Sequence, residues 1–435
     1  MIRGQRNDPA NPARQADRSP AGESSHRRVL SLICAGHFTS HLWTIVLPAL
    51  FTVLEPVFHV DYVQLGLIVT VTTITSAACQ MPCGYLVDRY GPKRLLVIGL
   101  TVSSIAYLLM ALAPNYPALM ALGFVVGAGQ TVFHPADYAI LSALYPAERA
   151  GKPYSLHTFS GFTGSAVAPL AIAGLNAAFN WKIAIASAGV LGLVITGAMM
   201  IWLQVPIEVQ VTPKAAAAID HTPARPKRRQ GGVTLPSGLA VFLSAPLLLL
   251  FGFFAFTSMF SSGLQSYLPA TISKIFDASN GAANAMLTVF MATIAAGVLA
   301  GGFLADRITN YARLIGVTFI GSTALMFLIA ALPMPIWLLF IFFGASGVLQ
   351  GVIMPSRDKM VRASASERDT GKSFAFVTLA MNVGSIIAVP VIGVLLDNSE
   401  ARLVFWALAF CLLLAAATVL VPSGRRAGEP ERAVA

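Results

Sequence analysis

The stretch "GYLVDRYGPKR" at residues 84–94 sets Asp88, Arg89, Lys93 and Arg94 side by side in a chain that otherwise avoids charge. Charged residues make up 11% of the sequence and apolar ones 56%, whereas soluble domains carry roughly 25% charged residues. Long charge-free runs flank the stretch on both sides. A weaker copy, "GFLADRITNYAR", begins at residue 302. The composition excludes a soluble fold, and the recurrence asks why so apolar a chain breaks twice for the same charged turn.

With histidine taken as neutral, charge-free runs occupy 29–54, 62–87, 95–136, 153–181, 183–207, 230–273, 314–356, 373–396 and 403–424. A helix crosses hydrocarbon in about 20 residues, so these runs are candidate spans. The run 95–136 is too long for one crossing and splits at "APNYP", 113–117; the run 314–356 splits at "LPMP", 332–335. A further span is expected over 281–304. The run 230–273 reads as a single span near 245–272, because "VLPAL" at 46–50 and "YLPAT" at 267–271 fall at matching places. The result is an all-α membrane protein of twelve helices.

Lys and Arg concentrate in cytoplasmic loops. With both termini inside, 26 of the 29 basic residues face the cytoplasm, and only Lys182, Lys274 and Arg402 lie outside. The formal charge of +10 is therefore a topology signal with some attraction to anionic lipid, and no nucleic-acid partner is expected. Residues 1–28 read as a disordered cytoplasmic tail, 29–207 as one six-helix bundle, 208–236 as a basic cytoplasmic linker, 237–422 as a second bundle and 423–435 as a tail. Cys34, Cys79, Cys83 and Cys411 sit in apolar runs with neither disulfide nor metal spacing. A multi-pass, monomeric protein of the cell inner membrane is the expectation.

The second half repeats the first. "GQTVFHPADY" at 129–138 faces "LQGVIMPSRD" at 349–358, with Gln130 and Gln350, and Pro135 and Pro355, in step. "AERAGKPYS" at 147–155 faces "ERDTGKSFA" at 367–375. The charged turns match as Gly84 with Gly302, Asp88 with Asp306 and Arg89 with Arg307. Six helices duplicated to twelve is an architecture in which two halves rock about a central site.

"GYLVDRYGPKR" resembles the G-x-L-x-D-R-x-G-x-[RK]-[RK] turn between helices two and three of the major facilitator superfamily, and the resemblance extends over 29–421. Within it, "GHFTSHLWTIVLPAL" at 36–50, "FHPADYAILS" at 133–142 and "SLHTFSGFTGSAVAPL" at 155–170 resemble the fosmidomycin-resistance-like efflux group. The sequence departs from that group at His41, where an acidic residue is usual. The resemblance implies a secondary transporter, with no cofactor and no enzymatic chemistry. It also implies a cytoplasmic latch in which Asp88 meets the N-terminus of helix eleven near Ser373. A carboxylate at a helix N-terminus is favoured by about 0.3–1 kcal/mol, and Gly84 and Gly91 would permit the tight turn. Arg89, Arg94, Asp306, Arg307, Arg357 and Asp358 complete the two latches, with Asp137 expected to pair with Arg89 or Arg94.

Ionisable groups inside a span are costly and point to function. His37 and His41, four apart, share one face of helix one, and His41 lies about 18 Å along it, near mid-bilayer. "HFTSH" has the spacing of a zinc-binding helix, but Phe38 stands where a hydrolase needs its glutamate, so no metal site is expected. Gln130, His134 and Asp137 stack on helix four, where Pro135 can kink the chain. His157, Gln265, Asn284 and Asn382 are further candidates for the substrate or proton pathway. An imidazole titrates near pH 6.5 when unperturbed, which suits proton coupling. Together with the resemblance, which implies efflux of a small antibiotic-like compound, anions included, these residues suggest proton coupling. Uptake of a small organic acid, and a non-transporting receptor on the same fold, are the alternatives.

Overall fold

A computed structural model describes residues 20–145, 151–205, 245–305, 310–357, 370–398 and 400–420. Asp306, Arg307, Asp358 and the linker 208–236 lie outside the described residues, as do both chain ends. Among the described residues, twelve helices are long and apolar enough to span a bilayer. In the first half they are α1 (Ser25–Phe58), α2 (Tyr62–Tyr90), α3 (Pro92–Met110), α4 (Tyr116–Leu144), α5 (Gly151–Ala178) and α6 (Trp181–Trp202). The second half holds α7 (Leu248–Phe276), α8 (Asn280–Gly302), α9 (Tyr311–Ala331), α10 (Ile336–Arg357), α11 (Phe376–Asn398) and α12 (Arg402–Leu420). The ambiguous run at 230–273 yields one span, and the breaks fall at 113–117 and 332–335 as the sequence indicated.

Helix starts follow local chemistry. Asp61 accepts from the Gln64 amide while the Gln64 side chain accepts from the Asp61 amide, a reciprocal cap at the head of α2. Asn115, Asn180 and Asn310 cap α4, α6 and α9 through their side-chain oxygens. Gly91 joins α2 to α3 in a single residue at φ 88°, a conformation that suits glycine. The first helix begins at Pro20, ahead of the apolar run, and so takes in part of the expected tail. Tyr145 at the end of α4 donates its hydroxyl to the His26 carbonyl and ties that extension to the bundle.

Two spans are interrupted where function concentrates. In α1 the α-helix stops at Val46 and a 3-10 turn, Pro48–Leu50, leads into Phe51–Phe58. In α4 the helix stops at Gln130 and resumes at Phe133. That break lies just ahead of Pro135, whose ring opposes the carbonyl four residues earlier, at Thr131. The Thr131 hydroxyl donates back to the Gly127 carbonyl at 2.9 Å, in the last turn before the break.

Within the first half α1 packs on α5, α2 on α4 and α3 on α6; within the second, α8 packs on α10, α7 on α11 and α9 on α12. The halves meet chiefly along α2–α11 and α5–α8. Large apolar side chains such as Ile98, Phe124, Ile341 and Phe410 remain exposed on the outside of the bundle, where lipid would cover them.

Closure is one-sided. On the face poor in basic residues, Asn284 donates to the Ala49 carbonyl at 3.1 Å, the Tyr267 hydroxyl to the Tyr62 carbonyl at 3.0 Å, and the Tyr62 and Val63 amides to Asp397 at 3.0 and 2.8 Å. Toward the basic face, α2, α4, α5 and α11 diverge around a wide mouth. With the basic face cytoplasmic, the molecule is inward-facing. Reporter fusions after Gly91 are expected to read as cytoplasmic and fusions at Pro333 as external; the reverse at either site would refute the twelve-span topology.

Candidate functional site

The funnel has two parts. A deep cavity of about 400 Å³ is lined by α1, α2, α4, α7 and α11, and a mouth of about 880 Å³ opens below it. Ser76, Gln130, Met381 and Asn382 line both, so the two are continuous. His41, Gln130, Gln265 and Asn382 stand around the deep part, which brings together four residues from four helices of both halves. Serine hydroxyls of Ser258, Ser262 and Ser266 on α7 add to this wall, as do the buried rings of Trp43 and Tyr107. The sequence reading missed these hydroxyls, because serine is unremarkable in a membrane helix until its face is known.

Behind the α1–α4 wall lies a cluster of acid–base groups. Asp137 on α4 is fully buried, and His157 Nε2 on α5 lies 3.0 Å from its Oδ2. His37 on α1 brings Nδ1 to 3.8 Å from the same oxygen. The His37 and His157 rings stack at 3.7 Å, while His41 and His134 meet His37 edge-on at 4.6 and 5.6 Å. His41 Nδ1 faces the Ser165 hydroxyl at 3.4 Å. His134 lines the funnel mouth with Tyr138 stacked on it, so the cluster reaches the funnel at His41 and at His134. The donor atoms of His37, Asp137 and His157 lie within 4.8 Å of one another.

Glycine makes the cluster possible. A Cβ at Gly161 would lie 2.7 Å from His37 Nε2 and 2.9 Å from His41 Cδ2, and one at Gly164 would run into the Phe38 carbonyl. The small residues of "SGFTGSAVAP" thus let α5 close on α1 so that its imidazole reaches the carboxylate.

Three expectations are corrected. Asp137 does not pair with the latch arginines; it turns into the bundle toward His157 and His37, while Arg89 lies over its neighbour Tyr90 at 5.4 Å. Helical spacing could not tell on which side α5 would bring its histidine. Asn284 does not line the funnel either; it is fully buried in the outer seam, bonded to Ala49 and Asn280. Gly84, expected to permit the tight turn, lies inside α2 with open space where a Cβ would be, so the turn rests on Gly91 alone; Asp88 is exposed. Arg357 ends α10 with its guanidinium 5.1 Å over the Phe254 ring of α7.

A family model described as the Major Facilitator Superfamily matches residues 32–271 and 255–434. The fosmidomycin resistance protein of Escherichia coli (strain K12) is 25% identical over 407 residues, covering 91% of this chain and 93% of that protein. The methylenomycin A resistance protein of Bacillus subtilis (strain 168) is 21% identical, covering 79% and 82%. Among solved structures, a bacterial homologue of the human lysosomal transporter Spinster, inward-facing and occupied, superposes with a TM-score of 0.72 at 16% identity, covering 91% of this chain and 96% of that one. The last likeness is one of fold.

Gly161→Val should crowd the imidazoles. Overpacking a well-packed core costs about 1–3 kcal/mol, so the purified variant is expected to insert normally, melt earlier and lose transport. A variant that melts and transports like the wild type would refute the close α1–α5 approach.

Proposed function

The chain belongs to the Major Facilitator Superfamily, and we propose that it is a proton-coupled exporter of a small antibiotic-like compound. Family membership makes it a multi-pass secondary transporter of a small molecule, with no enzymatic step. The finer reading rests on one observation: a buried aspartate gathers imidazoles from three helices directly behind the substrate funnel. A buried charge is sustained only by partners that neutralise it, and an imidazole within hydrogen-bond distance of a carboxylate can share a proton with it. A proton taken at His41 or His134 from the funnel can pass to His37, His157 and Asp137 by small side-chain movements. Each transfer changes the charge facing the substrate.

Alternating access follows from the one-sided closure. The open funnel loads substrate from the cytoplasm, and the outer seam must break for release. Resistance proteins among the relatives support export of antibiotic-like compounds, and fosmidomycin and methylenomycin A are the first probes to try. Uptake would use the same cavity in reverse, so net flux direction in oriented vesicles separates the two.

His41→Gln keeps polarity and approximate size but cannot titrate. It is expected to abolish uphill flux driven by a pH gradient in proteoliposomes while leaving downhill exchange measurable. Asp137→Asn should do the same, because both belong to one proton-sharing group. If His41→Gln concentrates substrate as the wild type does and Asp137→Asn does not, coupling resides in the buried pair. If both concentrate it normally, the proton reading fails.

A further inference from the structure

The sequence "GVLLD" at 393–397 closes α11 on the outer face. It repeats the G-x-L-x-D of "GYLVD" at 84–88, which closes α2 on the cytoplasmic face. Three contacts give this outer copy a role. The Asp397 carboxylate reaches across the two halves and accepts from the first amides of α2, Tyr62 N at 3.0 Å through Oδ1 and Val63 N at 2.8 Å through Oδ2. The Tyr267 hydroxyl of α7 donates to the Tyr62 carbonyl of that same turn. Gly393 leaves the clearance: a Cβ there would lie 2.8 Å from the Tyr267 hydroxyl and 2.9 Å from the Val63 Cα.

We propose that Asp397 is the outer latch of the transport cycle, holding the extracellular gate shut by capping the N-terminus of α2, and that it alternates with Asp88 at the opposite face. The α2 N-terminus already has its own reciprocal cap at Asp61 and Gln64. Asp397 takes the two amides that this cap leaves free, so the inter-half bond replaces water rather than an existing partner. A carboxylate accepting two amides at a helix N-terminus is both charge-assisted and dipole-assisted. Asp397 belongs to one half and the amides to the other, so the bonds exist only while the outer gate is closed. Opening the gate exposes both partners to water. The arrangement is that of the cytoplasmic latch turned over: Asp88 lies in the last turn of α2 and Asp397 in the last turn of α11, each four residues after its glycine. The exchange with Asp88 rests on the latch reading of that residue; the outer latch does not.

The test measures the two gates separately in the full-length protein, in lipid nanodiscs and on a background lacking the four native cysteines. Nitroxide labels at Gly151→Cys and Gly302→Cys report the cytoplasmic gate, and labels at Phe179→Cys and Gly281→Cys the outer one. All four positions are exposed. Asp397→Ala is expected to cut the outer-closed population by roughly tenfold, in keeping with the loss of hydrogen bonds to a charged group. The outer distance should lengthen and the cytoplasmic one shorten. Asp397→Glu should keep much of the closed population. Asp88→Asn should move both distances the other way, and Asp88→Asn with Asp397→Ala should return toward the wild-type balance. An Asp397→Ala protein that is monodisperse and keeps the wild-type outer distance overturns the proposal. Should Asp397→Ala open the gate while the double variant fails to rebalance, the outer latch stands and the exchange with Asp88 falls.

Discussion

A carboxylate buried inside a membrane bundle constrains everything packed against it. Asp137 has no water to solvate it, and leaving a charge unpaired in such a place costs several kcal/mol. The first half resolves the problem with imidazoles from α1, α4 and α5. That solution requires α5 to lie against α1 at van der Waals distance, which Gly161 and Gly164 permit. It also ties the break in α4 to the site, because Pro135 and the turn ahead of it set the orientation of the segment that carries His134 and Asp137. The titratable chemistry and the helix irregularity are therefore one feature.

The duplicated fold carries unequal chemistry. The position matching Asp137 in the repeat is Arg357, whose guanidinium rests over an aromatic ring of α7. Where His134 lines the funnel, its counterpart is Met354; where Gln130 lines it, Gln350 is buried. The first half thus holds the buried acid–base cluster. The second half contributes neutral hydrogen-bonding groups from α7 and α11 to the cavity wall. A rocking motion between such halves would bring a neutral polar surface against one that carries the acid–base groups.

Much of this was legible in the sequence, and the remainder was hidden for a common reason. Span number is a property of composition along one chain, and among the described residues it emerged intact; the second charged turn and most of the basic loops fall outside them. His41, Gln130, Gln265 and Asn382 were found because polar groups are rare in spans and each falls at a similar depth. The pairing of Asp137 with His157, and the place of Asn284 in the outer seam, depend on how one helix is rotated against another. Periodicity within a helix carries no such information when nearly all its faces are apolar. Asp397 was passed over because it reads as a span-ending charge, and only the seam between α11 and α2 shows what it caps.

The outer seam also sets a limit on its own strength. A transporter must visit both conformations, so the free-energy gap between them can be only a few kcal/mol. Hydrogen bonds to a charged group contribute about 1.5–3 kcal/mol each, and the seam contains two of them beside the bonds from Tyr267 and Asn284. Unopposed, that set would hold the outer gate shut and stop the cycle. A counterweight of comparable size must therefore form when the cytoplasmic funnel closes, and the Asp88 contact proposed for the other end of the same α2–α11 seam would be one of the right kind. Matching the two ends would leave the balance near zero, where a ligand that binds one conformation a few kcal/mol better than the other is enough to tip it.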